Sequence, residues 1–148
     1  MNIVDAIYHI KYNPFKYGEY IYCFYHHLEN QTENILLLPL ILPICTHSYY
    51  SDKVKKNNIN SSIYTIFKEQ RELLDFQERV DNLKELGFSS LQYCLNQNWL
   101  YLNPDKLNIV SSKDSIDVNQ NTLVAKKLAM LFSRSSKSEI YSLLGVKL

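Results

Sequence analysis

The sequence predicts a mainly α (α+β) protein, a helical domain with a winged-helix-like unit carrying one β-hairpin. Three observations lead there. Leu73, Phe76, Val80, Leu83 and Leu86 recur at three- and four-residue steps, the period of a helix packed along one side. The segment WLYLNPDKLNIV, starting at Trp99, is the clearest strand signal, two short apolar runs around the turn sequence Asn103-Pro104-Asp105-Lys106. The C-terminal stretch from Val124 reads as a helix, a polar break and a second capped helix, with apolar residues up to Leu143, Leu144, Val146 and Leu148. Chain ends usually fray, so a tail this apolar has to be buried, either in its own core or against another chain.

Taken in order, Asn13-Pro14 marks a helix start, a capping side chain followed by Pro where its missing N–H is harmless. The helix is expected to run to Leu28, with Phe15, Tyr22, Phe24, Tyr25 and Leu28 burying a broad side, and Gly18 either weakens it slightly or marks a close helix crossing. Glu29 to Asn34 is a loop, and Ile35–Leu38 an extended segment or irregular entry. Leu40 to Ser48 is a helix that Pro43 either starts or kinks. Ser51 to Asn60 reads as a loop or helix end. Ser61-Ser62 cap a short helix through Phe67 and Lys68. A helix from Arg71 to Leu86 is expected to stop at Gly87, and Ser89 to start another to Gln97. The hairpin follows near 99–110, with Leu107, Ile109 and Val110 on its return strand. Ser111 to Asn121 is a polar surface loop. Helices at Thr122–Ser133 and Ser138–Leu144 end the chain, with Ser138 as cap and Gly145 as stop. The order short helix, helix, helix, hairpin over 61–110 has the outline of a winged helix.

A length of 148 residues suits one domain, with 13–60 as N-terminal helices, 61–110 as the winged-helix-like unit and 121–148 as C-terminal helices. A net charge of +1 gives no general pull toward nucleic acid or membrane. The three cysteines, Cys23, Cys45 and Cys94, are odd in number and show no paired spacing, which points to a reducing compartment. MNIVDAIYHIKYNPF lacks the order of a signal peptide. The longest apolar run, Ile35 to Cys45, is broken by two prolines and too short to span a bilayer. The expected location is cytoplasmic. Twelve tyrosines suit interfaces, because each joins a large apolar body to a hydroxyl; an AT-rich coding sequence is the plainer source.

Catalytic chemistry is not visible. Three glycines leave no phosphate-cradling loop, and neither a dinucleotide fingerprint nor a nucleophile elbow can be written. Cys23 with His26 or His27 and Cys45 with His47 could be imagined around a metal, but the spacing fits no recurrent zinc pattern, so packed thiols and hydrogen-bonded imidazoles are the better reading. Glu69/Glu72 and Glu78/Asp81 lie beside Arg71, Arg79 and Lys84 and read as a solvated helix face. Two basic groups, Lys53, Lys55, Lys56 and Lys126, Lys127, Arg134, Lys137, could meet phosphate. The expected recognition helix and wing carry little positive charge, so a solvated surface is the better reading. No catalytic residue, cofactor or metal site is expected, and the chain is not expected to be an enzyme.

The ordered set NPFKYGEYIYCFYHH, LLLPLILPICTHS, FQERVDNLKELGFSSLQYCLNQNWLYLNPDKL and AKKLAMLFSRSSKSEIYSLLGVKL resembles the middle component of three-component ABC systems. These are bacterial conflict and antiphage modules related to the Lamassu systems. The matching positions are Asn13-Pro14, Leu42-Pro43, His47, Phe76, Arg79, Leu100, Leu102, Ile140-Tyr141 and Leu143 to Val146. KKLAMLF lacks the glycine and aromatic usual in that helix, and Lys147-Leu148 stands where Arg-Pro is more usual. The resemblance implies a non-enzymatic adaptor that joins an SMC/Rad50-like ABC ATPase to an effector such as a nuclease, touching DNA only through the complex and no membrane. The expected partner interface is Tyr20 and Tyr25 on the first helix with Ile140, Tyr141, Leu144 and Val146 at the end; the alternative is that both form the chain's own core. The competing function is a winged-helix DNA-binding protein or regulator.

Overall fold

The computed structural model describes residues 2–11, 13–29, 32–58, 60–112 and 118–148, with the side chains of 8–11 excepted. Among them are eight α-helices and one antiparallel hairpin: α1 (Ile3–Lys11), α2 (Pro14–His27), α3 (Leu38–Cys45), α4 (Ser48–Lys55), α5 (Ile63–Ile66), α6 (Phe76–Asn96), β1 (Leu100–Asn103), β2 (Asn108–Ser111), α7 (Leu123–Phe132) and α8 (Lys137–Leu144). Two 3-10 turns, Asn34–Leu37 and Gln70–Leu73, lead into α3 and α6. The fold is mainly α with one hairpin, as the pattern predicts.

The core is built around α2 and α3. α6 packs across both, α7 covers α2 and α4, and the hairpin closes against α2. Asn13 caps α2 as expected, its side chain accepting from the Phe15 N–H at 2.8 Å. Gly18 is a crossing: a Cβ there would lie 2.8 Å from Tyr93 of α6, inside any real contact. Ile21 to Tyr25 are buried, whereas Phe15 is 63% exposed and meets the Tyr93 ring edge-on at 4.7 Å. The irregular entry to α3 is a 3-10 turn, and Pro43 lies inside α3.

The hairpin pairs Tyr101 with Val110 and Leu102 with Ile109. Its turn is held by Asn103 Oδ1, which accepts from the N–H groups of Asp105 and Lys106 at 3.1 and 3.4 Å. Asn34 closes the outer edge of β2: its Oδ1 accepts from the Ile109 N–H at 2.6 Å and its Nδ2 donates to the Ile109 carbonyl at 2.9 Å. One buried amide thus stands in for a neighbouring strand residue.

Three expectations are corrected. The helix break at Gly87 does not exist; α6 runs unbroken for 21 residues. Gly87 is buried beside α3, 4.0 Å from the Leu38 carbonyl once a Cβ is added, so it is a packing position rather than a stop. Ser90 is buried inside the helix and donates back to the Leu86 carbonyl at 2.7 Å, which satisfies its hydroxyl without a cap. The helix pair that the winged-helix outline placed across Gly87 is therefore one helix. Second, the stretch from Ser48 forms its own helix, α4, because His47 rather than a Ser or Asn caps it. Third, the cap of α8 lies two residues early, at Ser136, whose Oγ accepts from the Glu139 N–H at 3.1 Å. α1 lies in a segment to which the sequence pattern assigns no element. The polar loop after β2 falls partly on 113–117, outside the described residues. Among the described residues, no helix is long and apolar enough to cross a membrane.

Candidate functional site

The tail is docked on its own chain. α8 ends at Gly145, whose φ of 67° closes a Schellman-type stop, with the Val146 N–H donating to the Tyr141 carbonyl and the Gly145 N–H to that of Ser142. Ile140, Leu144 and Val146 are buried. Gln77 of α6 pins the following backbone, its Oε1 accepting from the Lys147 N–H at 2.7 Å and its Nε2 donating to the Lys147 carbonyl at 3.2 Å. Tyr141 is half-buried and donates its hydroxyl to the Leu36 carbonyl. Burial raises its phenol to about 12.

Of the six residues expected at a partner interface, Tyr25, Ile140, Leu144 and Val146 are core. Tyr25 donates to the Asn34 carbonyl at 3.0 Å, and burial pushes its phenol up strongly. Tyr20 and Tyr141 keep part of their surface. The physical reason is that helices this short cannot bury their apolar faces unless they fold back on the main body, and α8 finds α5, α6 and the turn at Leu36 to fold onto.

Apolar surface is exposed elsewhere. On α1, Ile3, Val4 and Ile7 stand in solvent, Ile3 at 77%. Between the 3-10 turn at Asn34–Leu37, α3 and α6 lies a groove of about 430 Å³, lined by Ile35, Leu36, Pro39, Phe88, Leu91 and Leu95 and reached by Leu148. Phe88 is 48% and Leu148 72% exposed. The sequence carried the signal for this groove: Phe88, Leu91 and Leu95 form a second stripe at helical spacing, visible once α6 is read through Gly87.

A second, polar cleft of about 440 Å³ gathers residues from two of the segments that carried the resemblance. Arg79 of α6 donates from Nε to the Pro43 carbonyl at 2.8 Å and from Nη2 to Thr46 Oγ1 at 2.6 Å, closing the C-terminal end of α3. His47 Nδ1 accepts from the Tyr49 and Tyr50 N–H groups, both at 3.2 Å, and so caps α4. These bonds require a neutral ring with its proton on Nε2. Burial, then the Arg79 charge, lower its pKa below the ordinary histidine value. Phe76 is buried beneath the cleft, with Glu72, Asp75 and Glu78 around its mouth. The arrangement locks the α3–α4 corner onto α6, with the imidazole's Nδ1 lone pair committed to the backbone.

The other Cys and His side chains are placed by packing. Cys94 donates to the Gly18 carbonyl at 3.1 Å and Cys23 to the Thr122 carbonyl at 3.4 Å. Burial raises the Cys94 thiol to about 12 and that of Cys23 to about 11, and pushes Cys45 up as well, so all three are held as thiols. His26 Nδ1 meets Ser111 Oγ at 2.7 Å, and His27 Nδ1 meets the Cys23 carbonyl at 2.8 Å. The side chain of His9 is outside the described residues. Among the described residues, no group of three His, Cys, Asp or Glu side chains is placed to hold a metal ion.

The family model described as ABC-three component (ABC-3C) system Middle Component 3 matches residues 1–148. No curated protein and no solved structure matches the chain significantly.

Proposed function

Because the chain belongs to the middle components of ABC-three component systems, we propose that it acts as a non-enzymatic adaptor bridging an SMC/Rad50-like ABC ATPase and an effector such as a nuclease in a cytoplasmic antiphage complex. The observation that carries this is the exposed apolar surface on two separate elements, the α1 stripe at Ile3, Val4 and Ile7 and the α3–α6 groove at Phe88. Two such surfaces are what a subunit with two partners needs, and their apolar residues gain nothing from water. The commitments of His47, Arg79, Cys23 and Cys94 to internal bonds fit an adaptor better than a catalyst.

The adaptor holds the effector on the ATPase and passes on a change of ATPase state. Release of the effector requires that the bound surface differ in affinity between two ATPase states. The test is co-expression with the neighbouring ATPase and effector genes and purification through a tag on this chain. Stoichiometric recovery of both is expected. Phe88→Asp and Ile7→Asp should each lose one partner and keep the other, with the fold intact by circular dichroism. A soluble chain that recovers neither partner would sink the adaptor, and both variants losing the same partner would replace two seats by one.

A further inference from the structure

The basic groups around Lys55 and Lys127 lie about 70 residues apart in the chain, yet they share one face of the molecule. Packing of α4 against α7 brings them together. The junction is fixed by reciprocal bonds: Asn57 Nδ2 donates to the Lys127 carbonyl at 3.1 Å and Lys127 Nζ donates to the Asn57 carbonyl at 3.2 Å. Beside it lies a cleft of about 670 Å³ with Asn58, Lys127, Ser133 and Arg134 in its walls. Lys55 and Lys56 end α4 next to Asn57, and Lys126 lies near enough to His27, in the cleft wall, to act on its charge. Two carboxylates oppose these cations: Glu29 in the cleft wall, and Asp52, paired with Lys56 at 2.9 Å. Six of the fifteen acids of the chain lie on the segment from Glu69 to Glu85.

We propose that the α4–α7 cleft binds the phosphate backbone of a nucleic acid strand. Its donors are the lysine and arginine charges and the Asn58 amide, groups that contact phosphate without reading sequence. Among the described residues, Met130 is the one aliphatic side chain in the walls. The site is separate from the α1 and Phe88 surfaces, so it stands or falls independently of the adaptor role. It makes the subunit a direct sensor of DNA position within its complex.

The test is fluorescence anisotropy of the purified full chain with labelled single-stranded and duplex oligonucleotides of about 20 nucleotides. Binding independent of sequence is expected, weakening about 100-fold between roughly 50 and 200 mM salt, as release of about four counterions requires. The triple variant Lys55→Gln, Lys56→Gln, Arg134→Gln should flatten the salt slope by about one unit for each cation removed. Lys84→Gln with Lys106→Gln, on α6 and the hairpin turn, should leave binding unchanged. If the triple variant melts early, Lys56→Gln alone carries the test, since its side chain is 74% exposed. No binding at low salt would overturn the proposal, as would equal loss in the control variant. Displacement of DNA by a polyglutamate peptide at matched charge would assign the cleft to an acidic protein instead, and displacement by a free triphosphate at matched phosphate would assign it to a nucleotide.

Discussion

The two terminal helices are alike in sequence and opposite in fate. α1 has nine residues and α8 eight, both are amphipathic, and both are capped by a small polar side chain, Asn2 Oδ1 on the Asp5 N–H at 2.8 Å and Ser136 Oγ on the Glu139 N–H at 3.1 Å. α8 buries its apolar face and has its exit pinned by Gln77, while Ile3, Val4 and Ile7 of α1 remain in solvent. An apolar stripe therefore states that a face must be covered without saying by what. Whether the cover is the same chain depends on what the fold places opposite it.

The largest effect that separates the two helices is a truncation. Leu144→Ala should lower stability by about 2–5 kcal/mol in a urea titration, because it opens a cavity in the core. Ile7→Ala should change it by less than about 0.5 kcal/mol. Equal losses would mean that α1 is packed as α8 is. Next comes the stop of α8. Gly145→Ala places a Cβ at a φ of 67° with open space around it, so the loss, about 1–2 kcal/mol by thermal melting, is backbone strain alone. Gly145→Asn should recover part of it.

A smaller effect distinguishes the caps. The oxygens of Asn2 and Ser136 do not titrate near neutral pH, whereas the His47 cap of α4 does. The folded pKa of His47 lies below its ordinary value, so the unfolded chain binds more protons over that interval. Stability from this group is complete above the unfolded value of about 6.5 and is lost as pH falls through the folded one. His27, lowered by burial, acts in the same direction. His47→Asn keeps a capping acceptor and should remove His47's share of the acid sensitivity, read as a flatter melting temperature between roughly pH 7 and 5. His47→Ala should cost about 1 kcal/mol at neutral pH. An unchanged pH profile in His47→Asn would show that the cap does not titrate with folding.

The smallest effect concerns glycine inside α6. Gly87→Ala should stabilise by up to about 1 kcal/mol, since helical Ala is favoured over Gly and its Cβ meets only the Leu38 carbonyl at 4.0 Å. Gly18→Ala should go the other way, because Tyr93 stands 2.8 Å from the new Cβ and is itself held between Phe15 and Trp99. A loss at Gly87 would mean that α3 and α6 are closer than a methyl group allows.

What the sequence alone determined was local chemistry. Asn13-Pro14 and Ser62 set their helix starts, Asn103-Pro104 the hairpin turn and Gly145 the last stop, because each acts through backbone bonds within a few residues. The segments that carried the resemblance likewise lie in linear order along the chain. Tertiary structure decided the rest. Gly87 looks like a stop in isolation and becomes a packing position only when α3 crosses it. His47 resembles a possible ligand until the start of α4 is seen to need an acceptor. Tyr25, Ile140, Leu144 and Val146 read equally as interface or core, since burial depends on what lies opposite and the pattern of one strip does not contain it. Lys55 and Lys127 are unrelated charges in the sequence and neighbours in space, because only the packing of α4 on α7 joins them.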